Sequence, residues 1–159
     1  MFETILSGVF VFVLGQVFLK MVLEPINALK KSFADIAHGF FVNAPFIYNP
    51  EALNDDQKSI VRERLLSLSG NLHGNLHLVP CYKVWGWIFR MPKAQKIRDA
   101  AQYLVAISNW LYSGSSAAIE HIIKNSQDTA DALGIYVPPN SRVNDDLLKA
   151  AIRSSFGRG

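Results

Sequence analysis

The sequence is poor in charge and nearly empty of cysteine. Asp, Glu, Lys and Arg make up 18% of its 159 residues, while half of the residues are apolar; about 25% charged is usual for a soluble domain. The single cysteine, Cys81, excludes an internal disulfide framework and suits a reducing compartment. Charge of one sign is scarce as well. Sixteen Lys and Arg face thirteen Asp and Glu, a net charge of +3 with neutral His, which is mildly basic and no polycation. There is no repeat of solenoid period and no low-complexity tract. There is no Walker loop, no Gly-rich dinucleotide loop and no metalloprotease helix. No nucleophile stands beside a base, so the expectation is a protein that is not an enzyme and carries no cofactor. His73, His77 and Cys81 are spaced four and four, and on a continuous helix they would share a face as zinc ligands can. Gly74 and Pro80 argue against such a helix and no fourth ligand suggests itself, so no metal is expected.

What is present is one long apolar run, "FETILSGVFVFVLGQVFLKMVL". It is about 22 residues long, and a membrane helix needs roughly 20. At ~1.5 Å per residue it crosses a ~30 Å hydrocarbon core with little tilt. A secretory signal would carry Lys or Arg where Glu3 stands and a small-residue cleavage site after the run, and neither is there. Gln16 and Lys20 speak for a buried core helix, but length and hydropathy favour a retained membrane span. No Lys or Arg precedes the run, whereas Lys20, Lys30 and Lys31 close it or follow. The positive-inside rule then puts a short N-terminus outside and the C-terminal bulk in the cytoplasm, with the span in the inner membrane.

At 100° per residue, Gly8, Phe12, Gly15, Gln16, Leu19 and Lys20 gather on one side of this helix. Val11, Phe18 and Val22 lie on the other, which suits lipid. Small residues let helix backbones approach, and a Gln within a membrane prefers a partner across a helix interface. With one span per chain, those partners come from other copies, so a homo-oligomer is expected. A ring of Gln16 and Lys20 could line a polar path; equally, Lys20 could only snorkel to the headgroups and Gln16 sit in a bundle that conducts nothing.

The remainder reads as helices. Pro25 suits a first helical turn, and Ile26, Leu29, Phe33, Ile36 and Phe40 mark an amphipathic stripe that runs to about Asn43. Pro45 and Pro50 then predict a loop. Asn54, Asp55 and Asp56 offer an N-cap and first-turn acid to a helix with Ile60, Val61, Leu65, Leu68 and Leu72 on its apolar side. Pro92 opens another, with Ile97, Ala101, Leu104, Ser108 and Leu111 buried, ending near Gly114. A further helix stops at Gly134, and a linker at residues 137–140 leads to a short last helix starting at Asn144. No strand is expected. The predicted organisation is a transmembrane helix at 1–24, a cytoplasmic helical domain at 25–135, and a linker with a short C-terminal helix at 136–159.

Between these helices lies "YKVWGWIFRMPKAQKIR". Lys83, Arg90, Lys93, Lys96 and Arg98 stand here without an acid, interleaved with Tyr82, Trp85, Trp87 and Phe89. Cations with aromatics settle at the membrane–water interface. The same residue types hold phosphate backbones and stack on bases. An ordinary aromatic core segment followed by a solvated helix face is the third possibility.

The order of the blocks "LGQVFLKMVLEPINALKKSFADIAHGFFVNAPFIYNP", "RERLLSLSGNL", "VPCY" and "AAQYLVAISNWLY" resembles a bacterial family of short single-span proteins of unknown function, over about residues 8 to 125. The resemblance implies a topology and no reaction, since no block is a catalytic signature. The architecture is also similar to membrane effectors of anti-phage systems such as Hailong, in which an oligomeric membrane effector is held closed by DNA made by a partner nucleotidyltransferase. That similarity implies an oligomeric single-pass effector with an ion-conducting path, restrained by an anionic ligand such as single-stranded DNA. The alternative is a non-conducting anchor or scaffold whose cytoplasmic helices hold a partner protein.

Overall fold

The computed structural model describes residues 2–47, 53–113, 116–137 and 142. Among the described residues the chain is all-helical, in five helices and no strand. The first is one continuous rod in three parts: α1 (Phe2–Phe18), a π-helical turn (Leu19–Leu23) and α2 (Glu24–Ile47). Then follow α3 (Asp55–Leu78), α4 (Tyr82–Ile88), α5 (Ala94–Trp110) and α6 (Ser116–Leu133).

The π turn sits directly before Pro25, and that is its physical cause. Proline offers no N–H to the Met21 carbonyl, and its ring crowds that carbonyl in a regular helix. Widening the turn, with the Glu24 N–H bonded to the Leu19 oxygen, carries the helix past the obstacle instead of breaking it. Pro45 likewise lies inside α2, which continues to Ile47. The expected stop near Asn43 is therefore corrected; Asn43 instead returns its side-chain amide to the Gly39 carbonyl, 2.8 Å away.

The domain is a bundle of α2, α3, α5 and α6. Helix α3 packs on α2, α5 on α3 and α6 on α5, and α6 touches α2 to close the circuit. The expected stripe of α2 is the one used: Ile26, Leu29 and Ile36 are fully buried, with Phe33 and Phe40 packed on the same core. Leu72, Ile97, Leu104, Ile107, Leu111 and Ile122 complete its centre. In α3, however, Ile60 is 67% exposed, and Leu76 and Ser69 join the buried side instead. Helix α5 begins at Ala94, after Lys93, and ends at Trp110, a little inside the expected limits.

Two polar ties fix the neighbours of α3, a helix rich in weak formers (Gly70, Asn71, Gly74, Asn75). The Ser69 hydroxyl donates to the Ala101 carbonyl of α5 at 2.8 Å, and the Asn75 amide donates to the Ser32 hydroxyl of α2 at 2.8 Å. Asn54 caps α3, as the sequence suggests, and the structure adds a reciprocal box with Gln57. Gly134, at φ 68°, closes α6, with the Ile135 N–H bonded to the Ala130 carbonyl at 2.8 Å. The expected C-terminal helix and most of the linker before it lie outside the described residues.

At Gly39 the backbone of α2 lies close against a side chain of α3. A Cβ there would stand 2.9 Å from Leu68 Cδ1, and Leu68 is itself buried. Replacing Gly39 with Leu overpacks this site and is expected to cost about 1–3 kcal/mol, read as a lowered chemical-denaturation midpoint of the detergent-solubilised protein. An unchanged midpoint would show that the two helices have room to separate.

Candidate functional site

The first region of interest is α1. Phe2, Glu3 and all of residues 5–21 are exposed, and burial by the rest of the chain begins only at Val22. At ~1.5 Å per residue that free length is roughly 30 Å, the thickness of a hydrocarbon core. The helix that contains it, Ile5–Pro45, is long and apolar enough to cross a membrane, with a mean hydropathy of 2.1 over its most apolar 18 residues and 6% of them buried. A core helix of a soluble protein would be mostly covered.

On the expected association face, a Cβ added to Gly8 or Gly15 meets nothing within 4 Å, so both positions stand open to another backbone. Gln16 and Lys20 are exposed beside them. The π turn fixes how this face sits against the domain. A π turn takes up about one residue more than an α turn, so everything after it is rotated by roughly 100°. By that count the Gly8–Gln16 side points roughly away from the Ile26–Ile36 stripe, which the domain covers. The opposite side was expected to face lipid throughout. Val11 fits that, but Val22 is buried and Phe18 meets Trp85 with ring centroids 5.5 Å apart, because the domain reaches this level of the helix.

The second region is the basic stretch, which the fold distributes over α4, the turn after it and the start of α5. Helix α4 is set off from its neighbours by two non-glycine residues in the left-handed conformation, Cys81 at φ 44° before it and Arg90 at φ 52° after it. The Arg90 N–H bonds to the Trp87 carbonyl at 3.2 Å and the Met91 N–H to the Gly86 carbonyl at 2.8 Å. This is the same closing motif that Gly134 makes for α6. The Tyr82 hydroxyl ties α4 to the next segment by donating to the Pro92 carbonyl at 2.6 Å. Burial pushes its pKa up to about 12, so it stays a donor at any physiological pH.

Between α4 and α5 lies a cavity of about 640 Å³, lined among others by Lys83, Trp87, Lys93 and Arg98. Among the described residues no acid lines it. Helix α5 starts without a side-chain cap, and Ala94 and Gln95 of its first turn border the cavity. Three of the five predicted cations are thus brought together. Arg90 lies in an adjoining depression with Trp87 and Ile88, and Lys96 borders neither. The two tryptophans part company: Trp87 is 82% exposed, while Trp85 is half-buried against Phe18 and Phe89. Lys30 adds a cation over the Phe89 ring, 5.3 Å from its centroid.

Helix α3 runs through Gly74, so His73 and His77 do share a face, with Nε2 atoms 3.2 Å apart. Cys81 lies beyond the helix end. Among the described residues no group of three or more His, Cys, Asp or Glu could hold a metal. Sequence reasoning missed a groove of about 420 Å³ between α2 and α6, lined by Phe40, Phe41, Ala130 and Tyr136; Phe41 and Tyr136 are 83% and 80% exposed. Comparison of the chain with known protein families, curated proteins and solved structures finds no match.

The left-handed turn at Arg90 gives a direct test of the α4 geometry. A side chain costs roughly 1–2 kcal/mol in this conformation, and glycine escapes most of it. Arg90→Gly is therefore expected to raise stability by about 1 kcal/mol, seen as a higher melting temperature, with Met91→Gly as the control that does not.

Proposed function

We propose that this protein is an oligomeric single-pass membrane effector: its α1 helices assemble through the Gly8–Gln16 side into an ion-conducting path, and its basic cavity holds an anionic ligand that controls it. The observation that carries the reading is the free apolar length of α1, which no described part of the chain covers. Lipid on one side and copies of α1 on the other would cover it. Gln16 and Lys20 supply polarity on the self-associating side, and Gly8 and Gly15 allow the close approach that such a bundle needs. The domain lies on the C-terminal side of the span, with Lys30 and Lys31, which supports a cytoplasmic domain and an outside N-terminus in the inner membrane. Lys83, Lys93 and Arg98 around a cavity that no described acid lines suit phosphate oxygens. The architectural likeness to anti-phage membrane effectors points the same way, toward single-stranded DNA as the ligand.

A second reading, a non-conducting anchor whose cytoplasmic helices hold a partner protein, is favoured by the groove between α2 and α6. Its exposed Phe41 and Tyr136 are the kind of rigid aromatic anchors that protein interfaces use.

Assembly is tested first. Gly15→Leu blocks backbone approach and is expected to lower the oligomer in detergent by mass measurement, while Val11→Leu leaves it intact. Equal effects would remove the assigned face.

Conduction and control are tested in a planar bilayer, with purified protein and added single-stranded oligonucleotide. The expected result is current that the oligonucleotide suppresses. Lys93→Glu with Arg98→Glu should abolish the suppression and lower the salt dependence of oligonucleotide binding by about 0.7 in log–log slope for each phosphate no longer held. Silence under every condition, from a preparation shown to be oligomeric, would leave the anchor reading.

A further inference from the structure

We propose that the outer face of α4 is a membrane foot, which lies in the interface of an anionic leaflet beside the base of α1. The inference rests on reading α1 as a span, and on neither conduction nor a soluble ligand.

Three observations meet here. Val84, Trp87 and Ile88 are spaced three and four residues apart, which puts them on one side of the helix, and they are 53%, 82% and 49% exposed. An unpartnered Trp with two aliphatic neighbours is costly in water and suited to the headgroup boundary, where its ring is amphipathic. The other side of α4 holds it at a defined depth. Trp85 packs on Phe18 with centroids 5.5 Å apart, within four residues of Val22, where the free length of α1 ends. Helix α4 is thereby fixed at the level where a leaflet would end. Its charge is of one sign. Lys83 and Arg90 are exposed at its two ends, and no Asp or Glu occurs between Glu63 and Asp99. A cation near an anionic surface is attracted to it, whereas any acid there would be repelled. The occupant these features fit is a lipid surface bearing phosphatidylglycerol-type headgroups. A protein partner would need neither the uniform charge nor the fixed depth.

The experiment uses the full chain in vesicles. Trp85→Phe with Trp110→Phe leaves Trp87 as the only tryptophan, and phenylalanine keeps the ring packing against Phe18. Vesicles of phosphatidylcholine with phosphatidylglycerol, carrying bromine high on the acyl chains, are the probe. The expected result is a blue-shifted Trp87 emission that brominated lipid largely extinguishes, while a chain retaining only Trp110 is not quenched. Lys83→Gln with Arg90→Gln should reduce the quenching toward that seen in pure phosphatidylcholine. Protein that floats with the vesicles but leaves Trp87 in a water-like, unquenched state overturns the foot and spares the span. Protein that does not float overturns both. Trp87 untouched by lipid but shielded by added single-stranded oligonucleotide assigns this face to nucleic acid and overturns the proposal.

Discussion

The structure depends on one constraint: about 20 residues of apolar helix whose surface the described chain does not cover. Soluble monomers rarely expose contiguous apolar patches beyond a few hundred Å², and a free helix with Phe2, Ile5, Leu6, Phe10, Phe12 and Leu14 all more than half exposed goes well past that. The rest of the architecture is arranged around where that length stops. Bundle packing begins at Val22 and Ile26. Helix α4 meets the same level through Trp85, whose ring centroid is 5.5 Å from that of Phe18. Lys20 and Lys30 bracket it.

A rod that is exposed on every side above this level and buried along one stripe below it needs a changeover, and Pro25 with its π turn supplies one. A regular helix would set the Gly8–Gln16 side and the Ile26–Ile36 stripe roughly a quarter turn apart. The widened turn moves them toward opposite sides. Burial follows the same geometry: Phe18 and Val22 are on the domain's side, while Gln16 and Lys20 remain free. On the oligomer reading, the domain would intrude on the approach of one α1 to another near the base without the extra residue.

The sequence made the helices legible where burial has a period. Ile26, Leu29 and Ile36, or Ile97, Leu104 and Leu111, repeat at three- and four-residue steps because one side of each helix meets the core. Asn54 and Gly134 mark ends by local chemistry that needs no tertiary context. Legibility failed where packing overrides local preference. Pro45 did not stop α2, since Ile47 is wanted in the core at 1% exposure. Gly74 did not stop α3, since Asn75 and Leu76 are held by α2 and the core. Ile60 lies in the first turns of α3, where no described neighbour covers it. In the basic stretch, composition identified the cations, but not which would converge. Lys83, Lys93 and Arg98 share a cavity only because the left-handed turn at Arg90 folds α4 back toward α5, and a non-glycine residue in that conformation has no sequence signal. The groove between α2 and α6 had none either, because Phe41 and Tyr136 are far apart in the chain.

On the effector reading, the cavity and the span have to communicate, and α4 is the element that touches both. One side of it forms a wall of the cavity through Lys83, Gly86 and Trp87. Another carries Trp85 onto Phe18 at the base of α1. A ligand shifts an assembly only by as much as it binds one state better than the other. Displacing α4 would forfeit an aromatic pair worth about 0.5–1.5 kcal/mol beyond its buried area, so in one chain this link can transmit roughly that much and no more. A modest coupling per chain suits an oligomer, because identical small biases from each copy add when the spans move together. Continuity of the rod matters for the same reason. A flexible hinge between α1 and α2 would absorb the displacement, whereas a helix that passes through Pro25 without breaking carries it into the membrane-length segment.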